Sequence, residues 1–172
     1  VMSYENGDVD YVELTGDLVE QYKDDEGFAS HNGSFNYYLM MNTTKPGMDN
    51  ENFRRAIACA LNREEICNSI LKDGSTPVQQ MIMVGLYANE AGDDFAESSP
   101  QPNGYNLDEA TKYWEAAQAE TDVREFTILF DQDKDFTQDV CAYIQDTVQK
   151  ALPGLTINLE ATPKKSRTER AD

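Results

Sequence analysis

The chain has 172 residues, which fits one α/β domain or a large piece of one and is long enough to bury a real core. Its 32 acidic residues outweigh 14 basic ones, for a formal net charge of −18. That charge repels phosphate backbones and anionic lipid, so nucleic-acid and membrane-surface binding are disfavoured, while a hydrophobic share of 40% argues against disorder.

In chain order, Asn6-Gly7-Asp8 marks a turn. Asp10–Leu14 reads as a short strand, and Asp17–Lys23 as a short helix broken by Asp24-Asp25-Glu26-Gly27. Ser34–Thr43, with Phe35, Tyr37, Tyr38, Leu39, Met40 and Met41, has the content of a strand buried on both faces. After the turn Lys45-Pro46-Gly47, Phe53, Ala56, Ile57, Ala60 and Leu61 recur with helical spacing behind Asn50. Asn62-x-x-Glu65 caps a second helix carrying Ile66 and Ile70, which Asp73-Gly74-Ser75 ends.

Residues 75–105 lack a period and read as a long irregular segment. Asn106 caps another helix, whose stripe is Leu107, Ala110, Trp114 and Ala117. Phe126–Phe130 is a predicted strand. The helix opening at Asp135-Phe136-Thr137-Gln138 has Val140, Cys141, Ile144, Val148 and Leu152 inward, and Pro153-Gly154 stops it. Leu155, Ile157 and Leu159 then alternate as a strand, completing a βαβ unit with a parallel pair. Ser166-x-x-Glu169 has capping-box form, so a last helix is expected to start there, with the chain ending at Asp172 one turn later. That ending, together with Val1 in place of an initiator Met, leads to the expectation of a piece of a longer protein.

Candidate chemistry is sparse. Cys59, Cys67 and Cys141 form no C-x-x-C pair and read as buried free thiols. His31 is the sole histidine, with no nucleophile beside it. Asp131-x-Asp133-x-Asp135 begins like a calcium loop, but Phe136 and Ala142 stand where the loop needs Gly and Glu, so the carboxylates read as a solvated loop. No phosphate loop or dinucleotide fingerprint occurs. Asn36, Tyr37, Tyr38 and Asn42 leave two readings open: tyrosines packed in a core, or polar-tipped aromatics lining a cleft.

The runs Tyr37-Tyr38-Leu39-Met40-Met41-Asn42-Thr43-Thr44-Lys45-Pro46, Asp49-Asn50-Glu51-Asn52-Phe53-Arg54-Arg55-Ala56-Ile57 and Ala60-Leu61-Asn62-Arg63-Glu64-Glu65-Ile66 resemble the oligopeptide/dipeptide-binding family of ABC-transporter solute receptors, family 5. Weaker matches, Tyr4–Asp10, Tyr105–Ala110 and Gln145–Leu159, follow in family order. The resemblance implies an α/β fold: one lobe, residues 1–172, of a type II periplasmic-binding-protein fold of class C, with a mixed sheet flanked by helices, cut from a larger two-lobed receptor. It implies oligopeptide as ligand, permease subunits as partners and no cofactor, with location outside the membrane, either as a lipid-anchored surface protein or in the periplasm. Thr15 and Gly16, with Asn36, Tyr37, Tyr38 and Asn42, match positions at or near the family's cleft. The family's Trp-x-x-Asp-type clamp for the peptide amino terminus is absent from these residues, and Trp114 does not fit it. Relatives that take nickel, sugars or opines keep a non-peptide ligand open. Two other classes stay in competition: a hydrolase using the acidic groups of residues 75–105, and a calcium-dependent extracellular module.

Overall fold

The structure, a computed structural model, describes residues 1–31, 33, 35–100 and 104–171, without the side chains of Asp135 and Ala171. Two short helices, α1 (Met2–Glu5) and α2 (Asp17–Tyr22), precede α3 (Glu51–Ala60). The Asn50 side chain accepts the Phe53 N–H at 2.9 Å, so the cap signal acts as its chemistry requires. Phe53, Ala56, Ile57, Cys59 and Ala60 turn inward. Asn62 caps α4 (Arg63–Glu65) in the same way, and the helix then widens into a π-helical turn, Ile66–Leu71, which Lys72 ends at φ 50°. After α5 (Phe95–Ser98), Asn106 caps α6 (Leu107–Glu120), which buries Ala110, Trp114 and Ala117 while Leu107 stays largely exposed.

Helices α3 and α6 lie antiparallel and are tied at both ends. Asn106 N–H donates to the Cys59 carbonyl at 2.9 Å, and the Asn50 and Asn52 amides both donate to the Glu120 carboxylate. Between them the Phe53 ring meets Trp114 edge-on, with centroids 5.4 Å apart. The indole Nε1 donates to the Pro153 carbonyl at 3.0 Å, which joins this helical pair to the βαβ unit.

That unit is β1 (Glu125–Asp131), α7 (Asp135–Ala151) and β2 (Thr156–Thr162). The strands are parallel, in register from Glu125↔Thr156 to Asp131↔Thr162. Cys141, Ile144, Val148 and Leu152 press onto Ile128, Phe130 and Ile157 in one core shared with α3 and α6. Phe53, Ile57, Leu152, Ile157 and Val148 are its largest fully buried side chains, each contributing about 1.5–3 kcal/mol by burial. Gly154, at φ 85°, makes the turn into β2. The α/β class and the parallel crossover are as expected. Among the described residues the regular sheet is this parallel pair alone.

Several expectations are corrected. Asp10–Leu14 forms no strand. Residues 35–42 join no strand pair among the described residues, and Phe35, Tyr37, Tyr38 and Met40 are exposed rather than buried on both faces; Ser34 lies outside the described residues. Apolar content can favour an extended chain, but a strand also needs a neighbour for its N–H and C=O groups. Only Leu39 and Met41 reach the core. The last helix, α8, runs Lys164–Ala171, so Ser166 sits in its first turn and not at its cap. Pro163 starts it, its carbonyl accepting the Arg167 N–H at 3.0 Å, because its fixed φ suits a helix start. Asp172 lies outside the described residues. Residues 75–100 and 104–105 are irregular apart from α5 and an Ala88–Asp94 bridge; residues 101–103 are not described.

Candidate functional site

The carboxyl ends of β1 and β2 bring together a buried carboxylate, a guanidinium, an ammonium and two aromatic rings. Ligands of open α/β sheets sit at such ends because the loops there diverge. Asp131, the last residue of β1, is only 4% exposed, which corrects its reading as part of a solvated loop. Its Oδ1 accepts the Asp133 N–H at 3.2 Å, and its Oδ2 lies 3.6 Å from Arg167 Nη2 on α8. The Asp131 carbonyl accepts the Thr137 hydroxyl at 2.7 Å. A carboxylate buried with a guanidinium and backbone donors is a structural anchor, and it fixes the loop that follows.

That loop presents Lys134, and the first turn of α7 presents Phe136. The Phe136 ring meets Tyr37 edge-on, 5.5 Å between centroids at 81°. The Lys134 ammonium stands 5.7 Å from the Tyr37 centroid and 5.6 Å from that of Phe136, within cation–π range of both. Tyr37 keeps 68% of its surface open. Its neighbour Asn36 is fixed by donating Nδ2 to the carbonyls of Gln80 and Met81, at 3.2 and 3.0 Å. The irregular segment thereby contributes backbone to the same neighbourhood.

The other expected site residues fall elsewhere. Tyr38 is 60% exposed and points away from the core. Asn42 Oδ1 accepts the Thr44 N–H at 3.0 Å and the Thr44 hydroxyl at 2.7 Å, which makes it a turn residue. Thr15 and Gly16 precede α2, with Gly16 at φ 57°; among the described residues no hydrogen bond or ring contact joins them to Asn36, Tyr37 or Tyr38. Asn36 and Tyr37 are thus brought together with the strand ends, and Thr15 and Gly16 are not. Sequence reasoning missed Lys134, Phe136 and Arg167. The signal was Phe136 itself, an aromatic side chain in the first turn of α7 directly behind an acidic run.

Elsewhere, chemistry is muted. Burial pushes the Cys141 thiol up to about 11, and burial likewise raises Cys59 and Cys67; all three are buried and free, as expected. Burial, then the hydrogen bond from its hydroxyl to Glu65 at 2.6 Å, raises Tyr143. Two shallow concavities of about 260 and 240 Å³ flank Tyr105 on the helical side, lined in part by Glu109 and Tyr113 and by Glu65 and Tyr143. Neither is lined by residues 36–42. Among the described residues no group of three His, Cys, Asp or Glu side chains is placed to hold a metal ion, and no helix is long and apolar enough to cross a membrane.

A helical layer on a parallel strand–helix–strand unit, superposable on solved peptide-binding proteins, is an α/β lobe of the periplasmic-binding-protein type. The family model of the bacterial extracellular solute-binding proteins, family 5 (middle region), matches residues 1–172, and the chain belongs to this family. It is 27% identical over 180 residues to the dipeptide-binding protein of Lactococcus lactis subsp. cremoris, covering 98% of this chain and 32% of that one. The solved pheromone receptor PrgZ, described for its mode of peptide binding, superposes with a TM-score of 0.86 at 26% identity, covering 98% of this chain and 34% of that one. The OppA protein of Listeria monocytogenes bound to peptide gives 0.83 at 29%, with the same coverage. The chain therefore spans about a third of the length of these relatives. Members of the family are solute-binding transport proteins.

Proposed function

We propose that these 172 residues form a single lobe, continued on both sides, of a two-lobed receptor. That receptor captures oligopeptides outside the membrane and delivers them to the permease of an ABC transporter. The observation that carries this reading is the family match over the whole chain, with similar proteins named for dipeptide or peptide binding. The receptor performs no covalent chemistry, and it sits outside the membrane, either held by a lipid anchor beyond residues 1–172 or free in a periplasm. Asn36 and Tyr37, at the strand ends, form the wall this lobe gives to the cleft, with Tyr38 and Asn42 continuing it and Thr15-Gly16 at its margin. An exposed tyrosine offers contact area and a hydroxyl at little entropic cost, which suits broad peptide specificity.

One lobe alone encloses little ligand surface, so this chain by itself binds peptide weakly or not at all. Calorimetric titration of the receptor containing this lobe tests the reading. Peptides should give saturable heat, and nickel, simple sugars and opines none. Tight binding of one of those with no response to peptides would reverse the ligand assignment.

A further inference from the structure

Lys23, Lys72, Lys112, Lys150 and Lys165 each lie within ion-pair distance of an Asp or Glu oxygen. With 32 acidic residues against 14 basic ones, a lysine of this chain finds such a partner readily. Lys134 is placed differently. It is exposed, and among the described residues it makes no ion pair and its ammonium donates no hydrogen bond. The ammonium stands over the Tyr37 and Phe136 rings instead, at 5.7 and 5.6 Å. Ring faces attract the charge, but they take up its N–H donors far less strongly than a carboxylate does.

The backbone beneath this ammonium is fixed. Lys134 N–H donates to the Asp131 carbonyl at 3.4 Å, and the Lys134 carbonyl accepts the Thr137 N–H at 3.1 Å and the Thr137 hydroxyl at 2.7 Å. Asp131 is itself buried beside Arg167. On the facing segment, Asn36 ties the chain next to Tyr37 to the Gln80 and Met81 carbonyls. The charge and the two rings are thus in place before a ligand arrives, so little order remains to be lost on binding.

We infer that Lys134 is a specificity residue, which favours peptides carrying an Asp or Glu side chain at the position that lies over Tyr37. The ligand group must offer an anionic acceptor to the ammonium and apolar surface to the rings, and a carboxylate on a methylene stem does both. A peptide's terminal carboxylate has the same charge. For a peptide held in one register, however, the terminus reaches Lys134 at a single peptide length, whereas a side chain reaches it at every length. The preference runs against the net charge of −18, which repels anions at long range, so it is set by contact at this one cation. The inference rests on the receptor reading above and names the ligand class at the same site.

Calorimetry on the receptor containing this lobe tests it, with peptides in which a single Glu is moved along a Gln background. At one position Glu should bind about tenfold tighter than Gln, the worth of one charge-assisted hydrogen bond, at every peptide length that spans it. That ratio should shrink as salt is raised, fall to about one in Lys134→Met and persist in Lys134→Arg. Equal affinities for Glu and Gln at every position, or a ratio that survives Lys134→Met, overturns the inference. So does a loss in Lys134→Met that tracks the free against the amidated carboxyl terminus and ignores the side chain, since the ammonium would then hold the terminus. Peptide binding without Glu/Gln discrimination removes the specificity assignment and leaves the receptor. Absence of all peptide binding removes the receptor reading and this inference with it.

Discussion

Replacing Phe53 by Ala should remove most of the stability of the α3–α6 pair. The ring is fully buried and meets Trp114 at 5.4 Å and Phe126 at 6.2 Å, both edge-on. Large aromatic truncations in cores cost about 3–5 kcal/mol, because the cavity adds to the lost transfer free energy. Each aromatic pair adds about 0.5–1.5 kcal/mol beyond burial. Phe53→Leu keeps most of the volume and loses the two ring contacts, so it should cost about 1–2 kcal/mol. Urea unfolding monitored by Trp114 emission reads both, since this indole is the chain's one tryptophan and lies against the substituted ring. The expected order is wild type, Leu variant, Ala variant, with unchanged slope. An Ala variant within about 1 kcal/mol of wild type would show that the ring is not packed as described.

Other consequences follow from single contacts. Asn50→Ala loses the α3 cap and the tie to Glu120 and should cost about 1–2 kcal/mol in the same assay. The Asn50 and Asn52 amides hold the Glu120 carboxyl below its ordinary range. A depressed carboxylate stabilises fully above its unfolded pKa, and that stabilisation is lost as pH falls through the folded one. Acid unfolding should therefore begin at lower pH in Glu120→Gln than the loss of this contact alone would suggest, because the variant has no proton to take up there. Unshifted acid sensitivity of that variant, relative to its own neutral stability, would exclude the linkage. Lys72→Gly should raise stability by up to about 1 kcal/mol, since Lys72 holds a left-handed backbone that glycine adopts without strain. A loss on this substitution would mean that the 3.4 Å Lys72–Asp17 pair matters more than the backbone. Ellman's reagent should find no fast thiol in the folded chain and three in urea, given that Cys59, Cys67 and Cys141 are buried.

Where one element carries its own partner, the sequence was readable. The caps at Asn50, Asn62 and Asn106 and the stripes behind them needed only local spacing, and each became a helix with the expected cap bond. The strand–helix–strand unit was legible for the same reason, since β1 and β2 pair with each other across α7. Residues 35–42 show the opposite case. Their composition matches a buried strand, yet no strand among the described residues pairs with them, and Phe35, Tyr37 and Tyr38 are exposed. Half of the candidate site shared this limit. Tyr37 stood out by type, but its partners Lys134 and Phe136 are about a hundred positions away, and only the fold brings them together. Asp131 was misread because a carboxylate in an acidic run looks solvated until Arg167 returns beside it.

The central claim is that this lobe forms one wall of a peptide cleft through the Tyr37 neighbourhood. Calorimetric peptide titration of three samples tests it most directly: the receptor, the receptor carrying Tyr37→Ala, and the 172-residue chain alone. The account predicts saturable binding by the receptor, affinity weakened about tenfold or more in the variant, and no measurable heat from the lone chain. Equal affinity in the receptor and its Tyr37→Ala variant, or full-strength binding by the chain alone, would contradict it.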